Sequence, residues 1–295
     1  MSVRYKIFYA ICWVLALLPL RCLYLISDLL FLVACYIVRY RRKVVLENLR
    51  NAFPEKTERE RWLIARKFYR FMCDLFIETL KVCNISTPEI RRRIKYSNPE
   101  VYDYLYSKGV QLAIFIPGHY GNWEWIATLE GTIPYHQATL YRPLKNKIFD
   151  QFFYDMRFKL GTDPIPHKTA VRAINKYKDE NRFTTIGFFS DQAPGRKAIN
   201  HWTTFLNQDT PVFTGAEKLA KRYNMAVVYY EVRRVKRGYY EVDITLITEN
   251  GSLTADKEIT NKHVQLLEET IRRNPHYWLW SHRRWKRKRE NNFEE

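Results

Sequence analysis

The chain has 295 residues, enough for one large domain or two small ones and for a core that needs no disulfide staples. Hydrophobic residues make up 46% and charged residues 27% of it, which excludes an intrinsically disordered protein. Lys and Arg number 49 against 31 Asp and Glu, a formal net charge of +18. This excess predicts an anionic partner: nucleic acid, anionic lipid, a phosphorylated substrate or an acidic carrier protein. The 21 Tyr and 8 Trp favour a membrane surface at least as well as a nucleic acid.

The cysteines indicate a reducing compartment. They number five and form no Cys-x-x-Cys pair. An odd count without that spacing argues against a disulfide framework and against a zinc ribbon. No metal site is expected.

Residues 7–38 are almost wholly apolar, with Arg21 and Asp28 as their charges and Pro19 as an interruption. A bilayer span needs roughly 20 apolar residues, and each half of this run is short or marginal. A kinked or tilted anchor, two helices lying half in the bilayer face, and a buried hairpin of a soluble domain therefore remain open.

A basic cluster follows the apolar run at once, at residues 39–43. Such a cluster is held on the cytoplasmic side and attracts anionic lipid. We therefore predict an N-terminal anchor over residues 1–45 and a catalytic domain over 46–295 at the cytoplasmic face of the membrane.

Strands and helices alternate in the remaining sequence. A capping box at Thr57 and Glu60 opens an amphipathic helix, and Asn146 and Gly161 bracket another. The pattern predicts a mixed α/β sheet with helices on its faces. The predicted helices are 57–83, 123–130, 147–160, 210–223 and 260–273, and the predicted strands are 111–117, 137–141, 184–190, 225–234 and 239–248.

The segment Ile116-Pro-Gly-His119-Tyr-Gly-Asn-Trp-Glu124 carries the clearest chemical signal. Five residues on a continuous helix are roughly 140° apart, so His119 and Glu124 converge only across a strand-turn-helix junction, which this sequence provides. A carboxylate beside an imidazole fixes its tautomer and makes it a general base. A turn histidine bonded to backbone is the alternative. The chain has no Gly-x-Ser-x-Gly elbow, so acyl transfer here would involve no covalent intermediate.

These residues resemble the His-x4-Asp/Glu motif of an acyltransferase superfamily and, within it, the late acyltransferases of lipid A biosynthesis, the lauroyl/myristoyl family. Four further blocks share the resemblance. They are Arg42-Lys-x4-Asn48-Leu-Arg-x-Ala-Phe53-Pro54, Tyr141-Arg142-Pro143, Asp191-Gln192-x-Pro194-Gly195 and Ser281-His282-Arg283-Arg284-Trp285-Lys286. Leu279-Trp280 departs from the Trp-Leu order expected before the last block.

The resemblance implies a cytoplasmic-face enzyme of the bacterial inner membrane. It implies transfer of a fatty acyl chain from acyl carrier protein, or from acyl-CoA, to a hydroxyl of a phosphorylated glucosamine disaccharide lipid, with no other cofactor. Acyl carrier protein, the phosphorylated glycolipid and an anionic membrane are then the partners, and nucleic acid is not. The basic tail 280–289, with Trp280 and Trp285, would suit the anionic membrane face.

The same resemblance suggests roles for individual residues. His119 would deprotonate the acceptor hydroxyl, Glu124 would hold His119, Arg157 would stabilise the oxyanion and Asp191 would order the site. Arg142 would bind phosphate or orient the substrate. Three residues between His119 and Glu124 would shape the turn next to the substrate: Tyr120, Gly121 and Asn122.

Three other functions stay open. The acceptor could be another envelope glycolipid or an aminolipid. The protein could be a basic membrane or nucleic-acid-binding protein without enzymatic activity, although we find no recognition motif for nucleic acid. It could also be a non-catalytic relative on the same fold, against which the intact His119 and Glu124 argue.

Overall fold

The computed structural model describes residues 2–289 and contains a seven-stranded mixed sheet flanked by helices, so the predicted α/β class is confirmed. The α-helices are Val3–Ala16 (α1), Leu20–Leu32 (α2), Arg42–Ala52 (α3), Glu58–Lys81 (α4), Thr87–Arg93 (α5), Glu100–Ser107 (α6), Lys147–Leu160 (α7), Ala170–Asp179 (α8), Gly215–Tyr223 (α9) and Glu258–Arg273 (α10). The strands are Ile94–Tyr96 (β1), Leu112–Pro117 (β2), His136–Tyr141 (β3), Asp163–Pro166 (β4), Thr184–Gly187 (β5), Trp202–Phe205 (β6), Gln208–Pro211 (β7), Ala226–Lys236 (β8) and Tyr239–Thr248 (β9).

The large sheet has the order β1-β9-β8-β2-β5-β3-β4, and β6 and β7 form a separate hairpin. Within the large sheet β8 and β9 pair antiparallel, and the other neighbours pair parallel. The strands β8, β2, β5, β3 and β4 therefore all end at the same edge. In parallel sheets this carboxyl edge is where ligands bind.

The central strand β2 is buried on both faces, which explains its unbroken apolar sequence. Ala113 and Phe115 pack into one core cluster, whereas Ile114 and Ile116 pack into another on the opposite face. Helices thus cover both sides of the strand that leads into the His119 turn.

The helix-capping residues predicted for α4 and α7 are confirmed. The Thr57 side chain accepts from the Glu60 backbone while the Glu60 side chain accepts from the Thr57 backbone, which completes the capping box of α4. Asn146 caps α7, and Gly161 ends it with a φ of 102°. These two helices carry Glu78 and Arg157 towards the carboxyl edge of the sheet.

The apolar N-terminus forms two helices separated at Pro19, and α2 continues into a π-helical turn, Val33–Ile37. Leu20–Ile37 is long and apolar enough to cross a bilayer, with a mean hydropathy of 1.9, yet one third of it is buried against the rest of the protein. Leu23, Tyr24 and Ser27 are buried, and Asp28 pairs with Arg237. One side of α2 is thus part of the protein core.

Two predicted helices differ in the structure. The predicted helix 123–130 is one short 3-10 turn, Trp125–Thr128, whose four residues are all buried. The predicted helix 210–223 begins only at Gly215, because residues 210 and 211 pair with β6. Pro cannot donate to a strand ladder, but each strand of a two-stranded ribbon is an edge strand, where Pro is tolerated.

The basic tail 280–289 is only partly as predicted: Arg283, Lys286, Lys288 and Arg289 are exposed, but its two tryptophans are not. Trp280 and Trp285 are buried, so they are not available to a membrane face. Asn48 donates to the Trp280 carbonyl at 2.8 Å and to the His282 carbonyl at 3.0 Å. The segment after the apolar helices and the segment near the end of the chain therefore lie side by side.

Candidate active site

His119 lies on a tight turn directly after β2. Gly121 adopts a φ of 60° there, and a side chain on Gly118 would come within 2.6 Å of Leu267. The backbone of the turn is bonded to the C-terminal segment: Gly121 N–H donates to the Tyr277 carbonyl, and Leu279 N–H donates to the His119 carbonyl. This holds the imidazole at the carboxyl edge of the sheet.

Asp191 lies after the neighbouring strand β5 and is bonded to His119 twice. Its Oδ1 is 2.6 Å from His119 Nδ1, and its Oδ2 accepts from the His119 backbone N–H at 2.8 Å. Phe115 of β2 and Gly187 of β5 are register partners, and His119 and Asp191 follow these partners by the same number of residues. The parallel register thus brings the two side chains together.

The hydrogen bonds define the tautomer of the imidazole. An ionised Asp191 only accepts, so His119 Nδ1 carries a proton, and in the neutral imidazole the lone pair is on Nε2. The Gln192 amide nitrogen lies 3.3 Å from that Nε2. The ring is 19% exposed and lies between Trp123 and Phe189, with centroid distances of 5.4 and 4.9 Å. A mostly shielded imidazole whose Nε2 is unprotonated and contacts only an amide can act as a general base.

Asp191 is kept ionised by its partners. Burial alone would raise its pKa, but the charge and hydrogen bonds of His119 and the indole N–H of Trp278 hold that pKa well below its usual range. Trp278 Nε1 donates to Oδ2 at 2.9 Å. The pair therefore has the base-and-carboxylate arrangement that orients catalytic histidines in hydrolases.

Glu124 does not hold His119, contrary to the prediction from their spacing. It forms a bidentate ion pair with Arg157 of α7, with Nε–Oε2 at 3.1 Å and Nη2–Oε1 at 2.9 Å. The reason is that the chain after Asn122 forms a turn and a 3-10 segment rather than a full helix, so the Glu124 carboxylate meets α7. Both side chains are largely buried, at 7% and 20% exposure. The predicted link between Glu124 and His119 is therefore wrong, and Asp191 occupies that position.

The three turn residues predicted to lie next to the substrate, Tyr120, Gly121 and Asn122, are buried inside the protein. Tyr120 is 4% and Asn122 is 0% exposed. Tyr120 donates its hydroxyl to the Asn274 carbonyl, and Asn122 Oδ1 accepts from the N–H of Trp125, the first residue of the short 3-10 segment. Gly121 supplies the left-handed conformation. Their contacts therefore fix the shape of the turn from the protein interior.

Arg142 follows β3 and is exposed at the same edge of the sheet. It is therefore open to a ligand approaching the carboxyl ends of the strands. The structure also reveals two site residues that sequence reasoning missed, Trp278 and Gln192, as direct neighbours of the His119–Asp191 pair. Among residues 2–289, no group of three or more His, Cys, Asp or Glu side chains could hold a metal ion.

Two comparisons with known proteins point to the same family. The model of the bacterial lipid A biosynthesis acyltransferase family matches residues 2–287, which is nearly the whole chain. A lipid A biosynthesis acyltransferase of Haemophilus influenzae (strain ATCC 51907 / DSM 11121 / KW20 / Rd) is 26% identical over 248 residues, covering 83% of this chain and 78% of that protein. The chain therefore belongs to the bacterial lipid A biosynthesis acyltransferase family, and it is an acyltransferase.

Proposed function

We propose that the protein transfers a fatty acyl chain from acyl carrier protein to a hydroxyl of a lipid A precursor, with His119 as the general base. The observation that carries this proposal is the 2.6 Å contact between His119 Nδ1 and Asp191. It leaves Nε2 unprotonated and directed away from Asp191. The chain belongs to a family of acyltransferases. When such an enzyme acylates a hydroxyl, the hydroxyl proton must be removed, and Nε2 can accept it.

The reaction needs no covalent enzyme intermediate. His119 Nε2 takes the proton of the acceptor hydroxyl as its oxygen attacks the thioester carbonyl. The C–S bond then breaks, and the departing thiolate takes that proton from the imidazolium. A thioester is already activated, so positioning and charge stabilisation account for most of the rate.

Arg157 is the candidate partner for the developing oxyanion. Its ion pair with Glu124 uses Nε and Nη2, so Nη1 is the guanidinium nitrogen outside the pair. Glu124 then positions Arg157, and Asp191 positions His119. Both members of the family motif are thereby required, although they act through different partners.

Charge and exposure support the proposed partners. Acyl carrier proteins are acidic and lipid A precursors carry phosphates, so a chain with a net charge of +18 attracts both. The exposed Arg142 is the candidate for contacting a phosphate. No cofactor is needed beyond the acyl donor, for which acyl-CoA is the alternative.

We also propose attachment at the cytoplasmic face of the bacterial inner membrane, and exposed apolar side chains support the attachment itself. Ile7 and Ile11 of α1 and Leu25 and Leu29 of α2 are exposed. Because the other side of α2 packs in the core, we propose that these helices lie in one face of the bilayer rather than cross it. Phe149 of α7 packs on Phe8 of α1 and continues the apolar surface.

Acyl transfer with purified protein tests the function. Acyl-loaded acyl carrier protein or acyl-CoA would be mixed with a lipid A precursor and either wild type or His119→Ala, and products identified by mass spectrometry. We expect acylated precursor with wild type and a loss of roughly 10²–10⁴-fold with the variant. Equal turnover by folded His119→Ala would refute the mechanism, and transfer only to another glycolipid or to an aminolipid would reassign the acceptor.

A further inference from the structure

Glu78 of α4 is a fully buried carboxylate that the proposed reaction does not use, with 0% exposure. It accepts hydrogen bonds from three separate elements. Tyr24 of α2 donates to Oε1 at 2.8 Å, whereas Tyr240 of β9 and Asn122 of the His119 turn donate to Oε2 at 2.6 and 2.7 Å. A buried carboxylate is costly unless its oxygens are fully bonded, so this arrangement fixes the three donors relative to one another.

The contact with Asn122 reaches the active-site turn. The two ends of the Asn122 amide have separate roles, because Nδ2 donates to Glu78 while Oδ1 accepts from Trp125 N–H. Asn122 lies between His119 and Glu124 in the chain. Its position therefore influences both sides of the site: the imidazole held by Asp191 and the carboxylate that holds Arg157.

The contact with Tyr24 reaches the apolar surface. Tyr24 is buried on α2, next to Leu25, which is 71% exposed on the surface proposed to meet lipid. Asp74, one turn before Glu78 on α4, accepts from Ser27 of α2 at 2.7 Å and from Arg234 of β8 at 2.7 Å. Two neighbouring acidic residues of α4 thus hold α2 in place from inside the protein.

Hydrogen-bond chemistry distinguishes the two acidic residues. Asp74 bonds to the guanidinium groups of Arg234 and Arg237, whereas Glu78 bonds to two phenols and one amide. Burial raises the pKa of Glu78. Its partners offer fixed donors rather than a paired charge, so Glu78 serves as an acceptor that sets geometry.

From these contacts we infer that Glu78 is a positioning residue, which joins the membrane-facing helix α2 to the active-site turn through Tyr24 and Asn122. The inference rests on the proposed function. It adds that the geometry of the site depends on α2 being seated. A displacement of about 1 Å in a catalytic group can reduce the rate by about 100-fold, so losing this contact is expected to lower turnover without removing any group that touches substrate.

An exchange of donor and acceptor tests the link. Asn122→Asp keeps the acceptor for Trp125 but places a second carboxylate oxygen against Glu78, so we expect turnover to fall by roughly 100-fold. In the double variant Glu78→Gln with Asn122→Asp, the introduced amide can donate to the introduced carboxylate and restore the bond in reverse. We expect the double variant to recover much of the kcat that Asn122→Asp loses, and Glu78→Gln alone to lose less than Asn122→Asp, because its amide oxygen can still accept from Asn122.

Glu217 provides a matched control for burial. It is 2% exposed and accepts from Lys257 N–H, Thr260 N–H and the Thr260 hydroxyl, which all belong to the start of α10. Glu78→Ala and Glu217→Ala each remove a buried carboxylate with three donors. Both should lower the melting temperature, but only Glu78→Ala should lower kcat of the folded fraction, with the KM for acyl donor little changed.

The outcomes are separable from those of the proposed function. If wild type transfers no acyl chain, the proposed function fails. If wild type is active but the double variant is no faster than Asn122→Asp, or Glu78→Ala matches Glu217→Ala in kcat, the inference about Glu78 is overturned. Should the alanine variants not fold, the exchange variants still decide, because both keep polar side chains of nearly native size.

Discussion

Asp191 accepts from both the ring and the backbone of His119, although 72 residues separate them in the chain. The two residues follow adjacent parallel strands, so the sheet rather than a local motif assembles the base. Glu124, which is nearer in sequence, is bonded to Arg157. The two residues of the His-x4-Glu motif therefore belong to two different pairs. His119 pairs with Asp191, and Glu124 pairs with Arg157.

This division predicts which double mutants are non-additive. His119→Ala should lower transfer by roughly 10²–10⁴-fold, and Asp191→Asn should also lower it strongly, because the imidazolium loses its stabilising charge. The double variant should be little worse than His119→Ala, since the residues act as a unit. Steady-state kinetics of the three variants test this, with His201→Ala as a control histidine that is bonded to Asn261 away from the turn. Multiplicative losses would contradict the pairing.

Glu124 and Arg157 should form a second unit. Glu124→Gln leaves the guanidinium without its carboxylate, and Arg157→Met leaves a carboxylate that is 7% exposed without its cation. We expect each to reduce kcat strongly and the double variant to lose far less than the product of both. Arg157→Lys should not restore activity, because an ammonium cannot reproduce the bidentate contact. Full activity of Arg157→Lys would exclude a geometric role for the guanidinium.

Asp191 should make the free energy of unfolding depend on pH in the acid range. Its pKa in the folded protein is lowered from the ordinary value of 3.8, so its stabilising contribution is fully present above that value and is lost as pH falls towards the folded pKa. The difference in unfolding free energy between wild type and Asp191→Asn should therefore shrink as the pH falls from about 5 to about 3. Urea titrations of both proteins across this range test it. A difference that grows with acid would contradict the lowered pKa.

The apolar N-terminal surface should control membrane binding. Because α2 contributes Leu23 and Ser27 to the core, deleting it would damage the fold, and substitutions are the better test. Replacing Ile7, Ile11 and Leu29 with Ser removes exposed apolar area and should weaken binding to anionic vesicles, with the remaining binding lost in high salt. Leu253→Ser is the control, since Leu253 is 84% exposed outside these helices. Unchanged sedimentation of the triple variant would mean that the bilayer meets another surface.

The cysteines should be dispensable for transfer. All five are free, and burial raises the pKa of Cys73 and Cys83 to about 11, which leaves almost no thiolate at neutral pH. A variant with Ala at all five positions should keep measurable turnover if it folds. Mass spectrometry of wild type trapped with acyl donor should detect no acyl thioester. A stoichiometric acyl-cysteine that is passed on to acceptor would replace the direct mechanism.

Sequence reasoning predicted the fold better than the site. Signals that act within a few residues were reliable: the Thr57 capping box, the Asn146 cap and the buried run of β2 all match the structure. The partner of His119 was assigned by proximity in the chain, and that assignment failed because partners across a sheet depend on strand order. The order β2-β5-β3 places Asp191, rather than a residue after β3, beside His119. Glu78 gave no signal either, since a single Glu in an amphipathic helix is typical of an exposed position.

The role of Trp278 has a consequence for biosynthesis. Its indole N–H donates a hydrogen bond to Asp191, and its neighbours Tyr277 and Leu279 form backbone hydrogen bonds with the His119 turn. A growing chain that has passed Asp191 but has not yet reached Trp278 contains both His119 and Asp191. It still lacks the C-terminal segment whose hydrogen bonds align them. Chains still on the ribosome should therefore be inert towards acyl donors, and a truncation that ends the chain before Trp278 should abolish transfer as completely as loss of the histidine.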